Sequence, residues 1–262
     1  MDIQKNIILA PYTTVKIGGP ADFFIHTKTT DEFVEALQYG QKNNLPITIL
    51  GNGSNVLISD SGIRGLVIKN DSEEMEIMDQ DKVRVSSGTQ LSSLINYSLD
   101  HHLLGLEEFA YIPSTVGGAI IGDIHGINKN HFSQFIDSLE KFGDFIVCAV
   151  LKLTPGDPSL AQKQVQDIIQ KKSAIQPMNS LGCVFKNIPN QLPTGQIIDQ
   201  QLNLKGFSIG DAQISSSHAN FIVNNGHATA TDYFKLIQLI QSQAKEKLGI
   251  TLKLEIKLLG EF

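Results

Sequence analysis

Residues 46–70 read PITILGNGSNVLISDSGIRGLVIKN, and two apolar runs within this stretch point to the kind of fold the chain adopts. PITIL (46–50) has the composition of a short strand and passes directly into GNGSN (51–55), while GLVIKN (65–70) is a second strand of the same kind. Glycine accepts positive φ, so GNGSN can turn tightly off the strand end. Successive N–H groups in such a loop form a concavity that suits an anion. Ser54 and Asn55 add side-chain donors. A plain strand-exit turn has the same composition. The loop is neither a Walker sequence nor a GxGxxG opening a helix, which disfavours nucleotide sites of those two types.

Strands and helices alternate outward from this stretch, as in mixed α/β subdomains. ADFFIHTK (21–28) alternates like a strand. DEFVEALQYGQKN (31–43) places Phe33, Val34, Leu37 and Tyr39 near helical spacing, with Thr30 as the expected N-cap. MEIMDQDKVRVSSG (75–88) reads as two strands around an Asp-rich turn, QLSSLINYSLDHHL (90–103) as an amphipathic helix and FIVCAVLKL (145–153) as an apolar strand. SLAQKQVQDIIQKK (159–172) is a polar helix, and a further helix is expected around GQIIDQQL (195–202). TDYFKLIQLIQSQAKEKLG (231–249) carries a one-sided stripe of Phe234, Ile237, Ile240 and Leu248, and Gly249 is a natural stop. TLKLEIKLLG (251–260) reads as a closing strand that includes Glu255.

A length of 262 residues predicts two or three subdomains, and 41% hydrophobic residues suffice for their cores. A net charge of −6 argues against a general nucleic-acid binder, which needs clustered Lys and Arg. The two arginines are Arg64 and Arg84. Cys148 and Cys183 give neither a disulfide framework nor a CxxC metal pattern. MDIQKNIILAPYTTV lacks the features of a secretory signal, and no apolar run approaches the ~20 residues that span a bilayer. The expectation is a soluble cytoplasmic protein with no metal site.

Two more donor-rich glycine loops accompany GNGSN: KIGGPA (16–21) and IPSTVGGA (112–119). Together the three suit a long ligand bearing a pyrophosphate held by backbone amides. Cys183, in SLGCVFKN (180–187), is either a small buried hydrophobe or a residue placed for chemistry. Cys148, inside FIVCAVLKL, reads as core. His218 reads as structural, and His101, His102 and His227 as surface residues.

TTVKIGGPADFF, ILGNGSNVLISDSGIRGLVIKN and IPSTVGGA resemble, in order and spacing, the flavin-binding half of the MurB family. These are the UDP-N-acetylmuramate dehydrogenases, or UDP-N-acetylenolpyruvoylglucosamine reductases, of peptidoglycan synthesis. GCVFKN, KGFSIGDAQISSSHANFIVNNGHATA and LKLEIKLLG resemble that family's substrate domain and closing strand. The resemblance implies an α+β fold. Two FAD-binding subdomains of the PCMH/VAO-like type would span 1–72, closed by strand 252–262, and 73–157. A MurB-type substrate domain would span 158–251. It also implies FAD as cofactor, NADPH as reductant, a small UDP-sugar substrate and a monomer with no nucleic-acid or membrane partner.

By the same resemblance Gly51, Asn52, Gly53, Ser54 and Asn55 form the pyrophosphate loop. Ile112, Pro113, Ser114, Thr115, Gly117, Gly118 and Ala119 belong to a second flavin loop, and Gly18 and Gly19 to another that starts at Thr14. Cys183 falls at the proton donor, more usually a serine, and Glu255 at the catalytic carboxylate. Lys186 and Asn220 match positions near the substrate. A thiol with pKa near ~8.5 is mostly protonated at neutral pH and can donate to a basic enolate.

One interval departs from the family pattern. Between GDIHG (122–126) and FIVCAVLKL the chain reads INKNHFSQFIDSLEKFGD, shorter than the family and without its Tyr-Arg segment. Asp123 and His125 stand where an asparagine is usual. Losing a preorganised charge-stabilising donor costs ~10²–10³ in rate. Two alternatives to an active reductase therefore stay open: a flavin- and UDP-sugar-binding protein with impaired turnover, and a flavin oxidoreductase with another substrate.

Overall fold

The computed structural model describes residues 2–262. The chain forms two compact units. Unit 1 holds residues 2–4, Phe24–Asn52 and Gly65–Ala174, and unit 2 holds Lys5–Phe23, Gly53–Arg64 and Ile175–Phe262.

The chain opens with β1 (Gln4–Ile8), β2 (Pro20–Thr27), α1 (Thr30–Lys42), β3 (Ile47–Leu50), β4 (Val56–Ile58) and β5 (Ile63–Asn70). β6 (Met75–Asp79), β7 (Lys82–Ser86), α2 (Leu91–Asp100), β8 (Leu103–Leu104) and α3 (Val116–Gly122) follow. β9 (Ile136–Phe142), β10 (Phe145–Lys152), β11 (Thr154–Pro155) and α4 (Ser159–Ser173) come next. α5 (Thr194–Gln196), β12 (Ser208–Ile209), β13 (Ala212–Ile214), β14 (Ile222–Asn224), α6 (Ala230–Leu248) and β15 (Lys257–Leu259) complete the chain. The mixed α+β character expected from the alternation is present.

In unit 1, β3 runs parallel to β5 from the Ile47–Leu66 pair to the Leu50–Lys69 pair. A second, antiparallel sheet has the order β6-β7-β10-β9. β10 lies inside that sheet, and Val147 to Leu151 are buried in succession. Its apolar run is continuous because both faces are covered. Cys148 is 0% exposed there, and burial pushes its thiol pKa up, so it is core as expected. Val83, Leu94, Phe109, Phe132 and Leu151 belong to the core, joined by Ala161 and Val165 of α4.

In unit 2, β15 pairs in parallel with β4, and β12, β13 and β14 form an antiparallel sheet. The core gathers Val15, Leu57, Phe185, Ile198, Tyr233 and Ile240. α6 starts at a capping box, Thr229 with Asp232, and ends at Gly249 in the left-handed region at φ 68°. Asp60 reinforces that start: its carboxylate accepts from Ala230 N (2.8 Å), Thr231 N (2.9 Å) and Thr231 Oγ1 (2.7 Å).

The structure differs from the sequence-based expectations at the cap of α1 and at the closing strand. α1 is capped by Thr29, not Thr30, because Glu32 closes a capping box on Thr29. The closing strand is only Lys257–Leu259, so Glu255 lies in the bend before it. The interval after GDIHG holds a strand, β9, which turns back on β10 through Gly143 (φ 59°) and Asp144. β9 reads IDSLEKF with only Ile136, Leu139 and Phe142 half-buried, and two register shifts against β10 break its period-2 alternation.

Candidate functional site

Unit 1 brings two of the glycine loops together. Gly51 leaves β3 against Thr115: a Cβ on Gly51 would stand 2.6 Å from Thr115 Oγ1. Only a residue without a side chain permits that approach. Thr115 caps α3 by accepting from Gly118 N at 3.2 Å, and Gly117 N donates to Ser87 O at 2.7 Å. The second loop is stitched to the start of α2 as well. Gln90 forms an antiparallel bridge with Thr115, Leu91 N donates to Ser114 O (2.9 Å), and Val116 N donates to Thr89 O (2.9 Å). Asn52 completes the join through a reciprocal amide pair with Gln90: Asn52 Nδ2 to Gln90 Oε1 at 2.5 Å, and Gln90 Nε2 to Asn52 Oδ1 at 2.7 Å. Ile112 and Pro113 lead into this loop, and Ala119 is buried under it. Close backbone approach without Cβ atoms suits a flavin's phosphates, so the residues present fit FAD.

Unit 2 holds its own glycine contacts. Gly53, at φ 58°, packs so that a Cβ would meet Tyr12 O at 2.5 Å, and Thr14 N donates to Gly53 O at 3.2 Å. Gly19 is held by Leu9 N to Gly19 O (3.0 Å) and Gly19 N to Ser59 O (2.9 Å), with Gly18 just before it. The Thr14 hydroxyl donates to Ser180 O at 2.6 Å, tying this loop to the head of SLGCVFKN. Asn224 Nδ2 reaches Val15 O at 3.0 Å. Ser54 is half-buried and Asn55 exposed. Asn55 Nδ2 donates to Glu255 O (3.3 Å), and its own carbonyl accepts from Lys257 N (2.9 Å).

The Cys183 and Glu255 segments lie side by side in the same unit. Glu255 N donates to Val184 O at 2.8 Å, Lys186 N to Lys253 O at 2.9 Å, and Phe185 bridges Leu254. Cys183 is half-buried, Glu255 and Lys186 are exposed, and neither cysteine forms a disulfide. A half-buried thiol and an exposed carboxyl side chain therefore lie on adjoining backbone.

Asn220 lies against the Cys183 segment. It is 2% exposed, and its carboxamide spans the backbone of Phe185, accepting from Phe185 N (3.0 Å) and donating to Phe185 O (2.8 Å). Its own carbonyl accepts from Val184 N at 2.8 Å. An Asn amide reproduces the donor–acceptor pair of a neighbouring strand, so Asn220 holds the Cys183 segment. His218 is structural, as expected: Nδ1 accepts from Asn220 N (3.3 Å) and its ring packs on Phe221 at 4.7 Å.

Both arginines are committed to carboxylates. Arg64 pairs with Asp22 at 2.6 Å and donates to Ser61 O at 2.8 Å. Arg84 is forked on Glu140 at 2.7 and 2.6 Å, which raises the guanidinium pKa and lowers that of the carboxyl. Sequence reasoning missed Gln90, Asn224 and Asp60, because nothing in their local pattern marks them.

The FAD binding domain family matches residues 21–142, and the UDP-N-acetylenolpyruvoylglucosamine reductase, C-terminal domain family matches residues 165–259. A UDP-N-acetylenolpyruvoylglucosamine reductase of Levilactobacillus brevis is 37% identical over 286 aligned residues, covering 99% of this chain and 93% of that protein. The reductase of Geobacillus kaustophilus is 33% identical over 98% of this chain and 94% of its own. A solved UDP-N-acetylenolpyruvylglucosamine reductase (MurB) from Thermus caldophilus superposes with a TM-score of 0.83 at 29% identity, covering 99% of this chain and 100% of that one. The alignment to the L. brevis protein runs 286 positions against 262 residues here, so at least 24 positions (286 − 262) have no residue in this chain.

Proposed function

The chain belongs to the UDP-N-acetylenolpyruvoylglucosamine reductase family, and from that premise we propose that it reduces UDP-N-acetylglucosamine enolpyruvate to UDP-N-acetylmuramate for peptidoglycan precursor synthesis, with NADPH as reductant. FAD, when bound and reduced by NADPH, would supply a hydride to the vinyl CH2 carbon of the enolpyruvyl ether. The adjacent carbon then carries the electron pair, delocalised into the substrate carboxylate. Cys183 Sγ–H delivers the proton to that carbon, and Glu255 stands on the adjoining segment as the site's carboxylate. Gly18, Gly19, the 51–55 loop and the 112–119 loop are assigned to the cofactor as stretches where missing Cβ atoms let a ligand come close, and Lys186 offers an exposed cation to the substrate's charges. Asn220 positions the Cys183 segment. We place the reaction in the cytoplasm and the chain as a monomer. Among the described residues no helix is long and apolar enough to cross a membrane.

The observation that supports the assignment is the 2.8 Å hydrogen bond from Glu255 N to Val184 O, which puts the Cys183 and Glu255 segments on adjoining backbone. Anaerobic addition of NADPH, then of the enolpyruvyl substrate, tests it. Native protein bleaches the flavin and regains its colour. Cys183→Ala bleaches normally and stays bleached, whereas Cys183→Ser recovers. Equal recovery in the Ala variant refutes the acid role.

A second reading, a flavin and UDP-sugar binder with little turnover, is favoured by the tight β9–β10 connection and by the engagement of both arginines with carboxylates. It predicts bleaching by NADPH without recovery in the native protein.

A further inference from the structure

We propose that Gln90 is a positioning residue for the flavin: its side-chain amide, paired with that of Asn52, latches the GNGSN loop to the IPSTVGGA loop so that their cradle exists before FAD arrives. The inference rests on the FAD-binding reading of those two loops.

Gln90 is anchored to the second loop by its main chain, through the bridge to Thr115 and the hydrogen bond from the next residue to Ser114 O at 2.9 Å. Its side chain reaches the first loop across 38 positions of sequence and makes two hydrogen bonds, at 2.5 and 2.7 Å, to one partner. A reciprocal amide pair admits one mutual orientation, because turning either amide sets donor against donor and acceptor against acceptor. The latch lies beside the closest approach of the two loops, where Gly51 passes Thr115. Neither amide is fully buried, and both are short of full exposure, so the pair keeps part of its strength against water. A glycine-rich loop that leaves a strand end loses much freedom when a ligand fixes it. A latch already formed in the apoprotein removes that freedom beforehand, and preorganisation of this kind appears as affinity.

The test is FAD titration of apoprotein, followed by quenching of flavin fluorescence, for native protein, Gln90→Ala, Gln90→Met, Asn52→Ala and the double Asn52→Ala/Gln90→Ala. Gln90→Met keeps the length and apolar stem but carries no amide, so it separates the latch from packing. Thermal melting of each apoprotein confirms that it is folded. The expected result is a Kd raised about fivefold to tenfold in both Gln90 variants, of the size that loss of one or two neutral hydrogen bonds produces. The double variant should bind no more than about twofold more weakly than Asn52→Ala, because the pair is broken once. A Kd for Gln90→Met within twofold of native, or losses that multiply fully in the double variant, overturns the latch while leaving the flavin reading intact. A native apoprotein that takes up no FAD overturns both.

Discussion

Replacing Asn220 removes a clamp whose cost can be worked from its partners. Phe185 is 0% exposed, and its N–H and C=O are both bound by the Asn220 carboxamide, at 3.0 and 2.8 Å. Asn220→Ala leaves both groups buried and unsatisfied at ~1–3 kcal/mol each, or about 2–6 kcal/mol together. Asn220→Asp is more informative. A carboxylate still accepts from Phe185 N–H, yet it sets its second oxygen against the Phe185 carbonyl, so the carboxyl is expected to titrate above the ordinary ~3.9. A raised folded-state pKa stabilises the protonated form, which donates to the carbonyl. The Asp variant should therefore regain stability as pH falls through that pKa towards ~4, and should resemble the Ala variant at pH 8. Urea unfolding at pH 8, 6.5 and 5 measures this. The same variants should slow flavin recovery by substrate ~10–100-fold, because a small displacement of a reacting group is costly, while bleaching by NADPH changes less than about twofold. An Asn220→Ala penalty below about 0.5 kcal/mol, or an Asp penalty constant across that pH range, refutes the clamp.

Asp60 should tie stability to pH. Its burial pushes the carboxyl pKa up, but hydrogen bonds from the Thr231 hydroxyl and from Ala230 and Thr231 N–H outweigh this and hold it below the ordinary value. A lowered folded-state pKa gives stability that is present above ~4 and lost as pH falls through it. Asp60→Asn should cost about 1 kcal/mol at neutral pH, a Tm drop of ~2–4 °C, and the gap to native should close below pH ~4; a gap independent of pH removes the charge from the explanation. Gly51→Ala forces a Cβ to 2.6 Å from Thr115 Oγ1 and should weaken FAD binding by ~10-fold or more. Gly118→Ala meets the flexible Ser114 Oγ at 2.8 Å and should weaken it less; the reverse order in flavin titrations contradicts the loop contact. Arg84→Ala should leave steady-state turnover within about twofold, because its guanidinium already serves Glu140; a ~100-fold loss would make Arg84 the enolate's support.

Local chemistry made much of this protein legible in advance. The period of apolar residues marked α6 and β2, a continuous apolar run marked β10, and the glycines marked the tight loops. Edge strand β9 leaves no sequence signal because two register shifts against β10 break its alternation, and the cap falls on Thr29 because it offers the same side chain one residue before Thr30. The contacts that assemble the site were out of reach for another reason. Asn52 meets Gln90 across 38 positions, Asn220 meets Phe185 across 35, and Asn55 meets Glu255 across 200. A hydrogen bond needs its two partners within ~3.5 Å, and for such separations only the folded path of the chain supplies that distance. The sequence by itself therefore determined which segments could bind phosphate and deliver a proton. The tertiary structure alone decided that Asn220 holds the Cys183 segment in place, that both arginines are committed to carboxylates, and that a glutamine with no motif around it joins two loops.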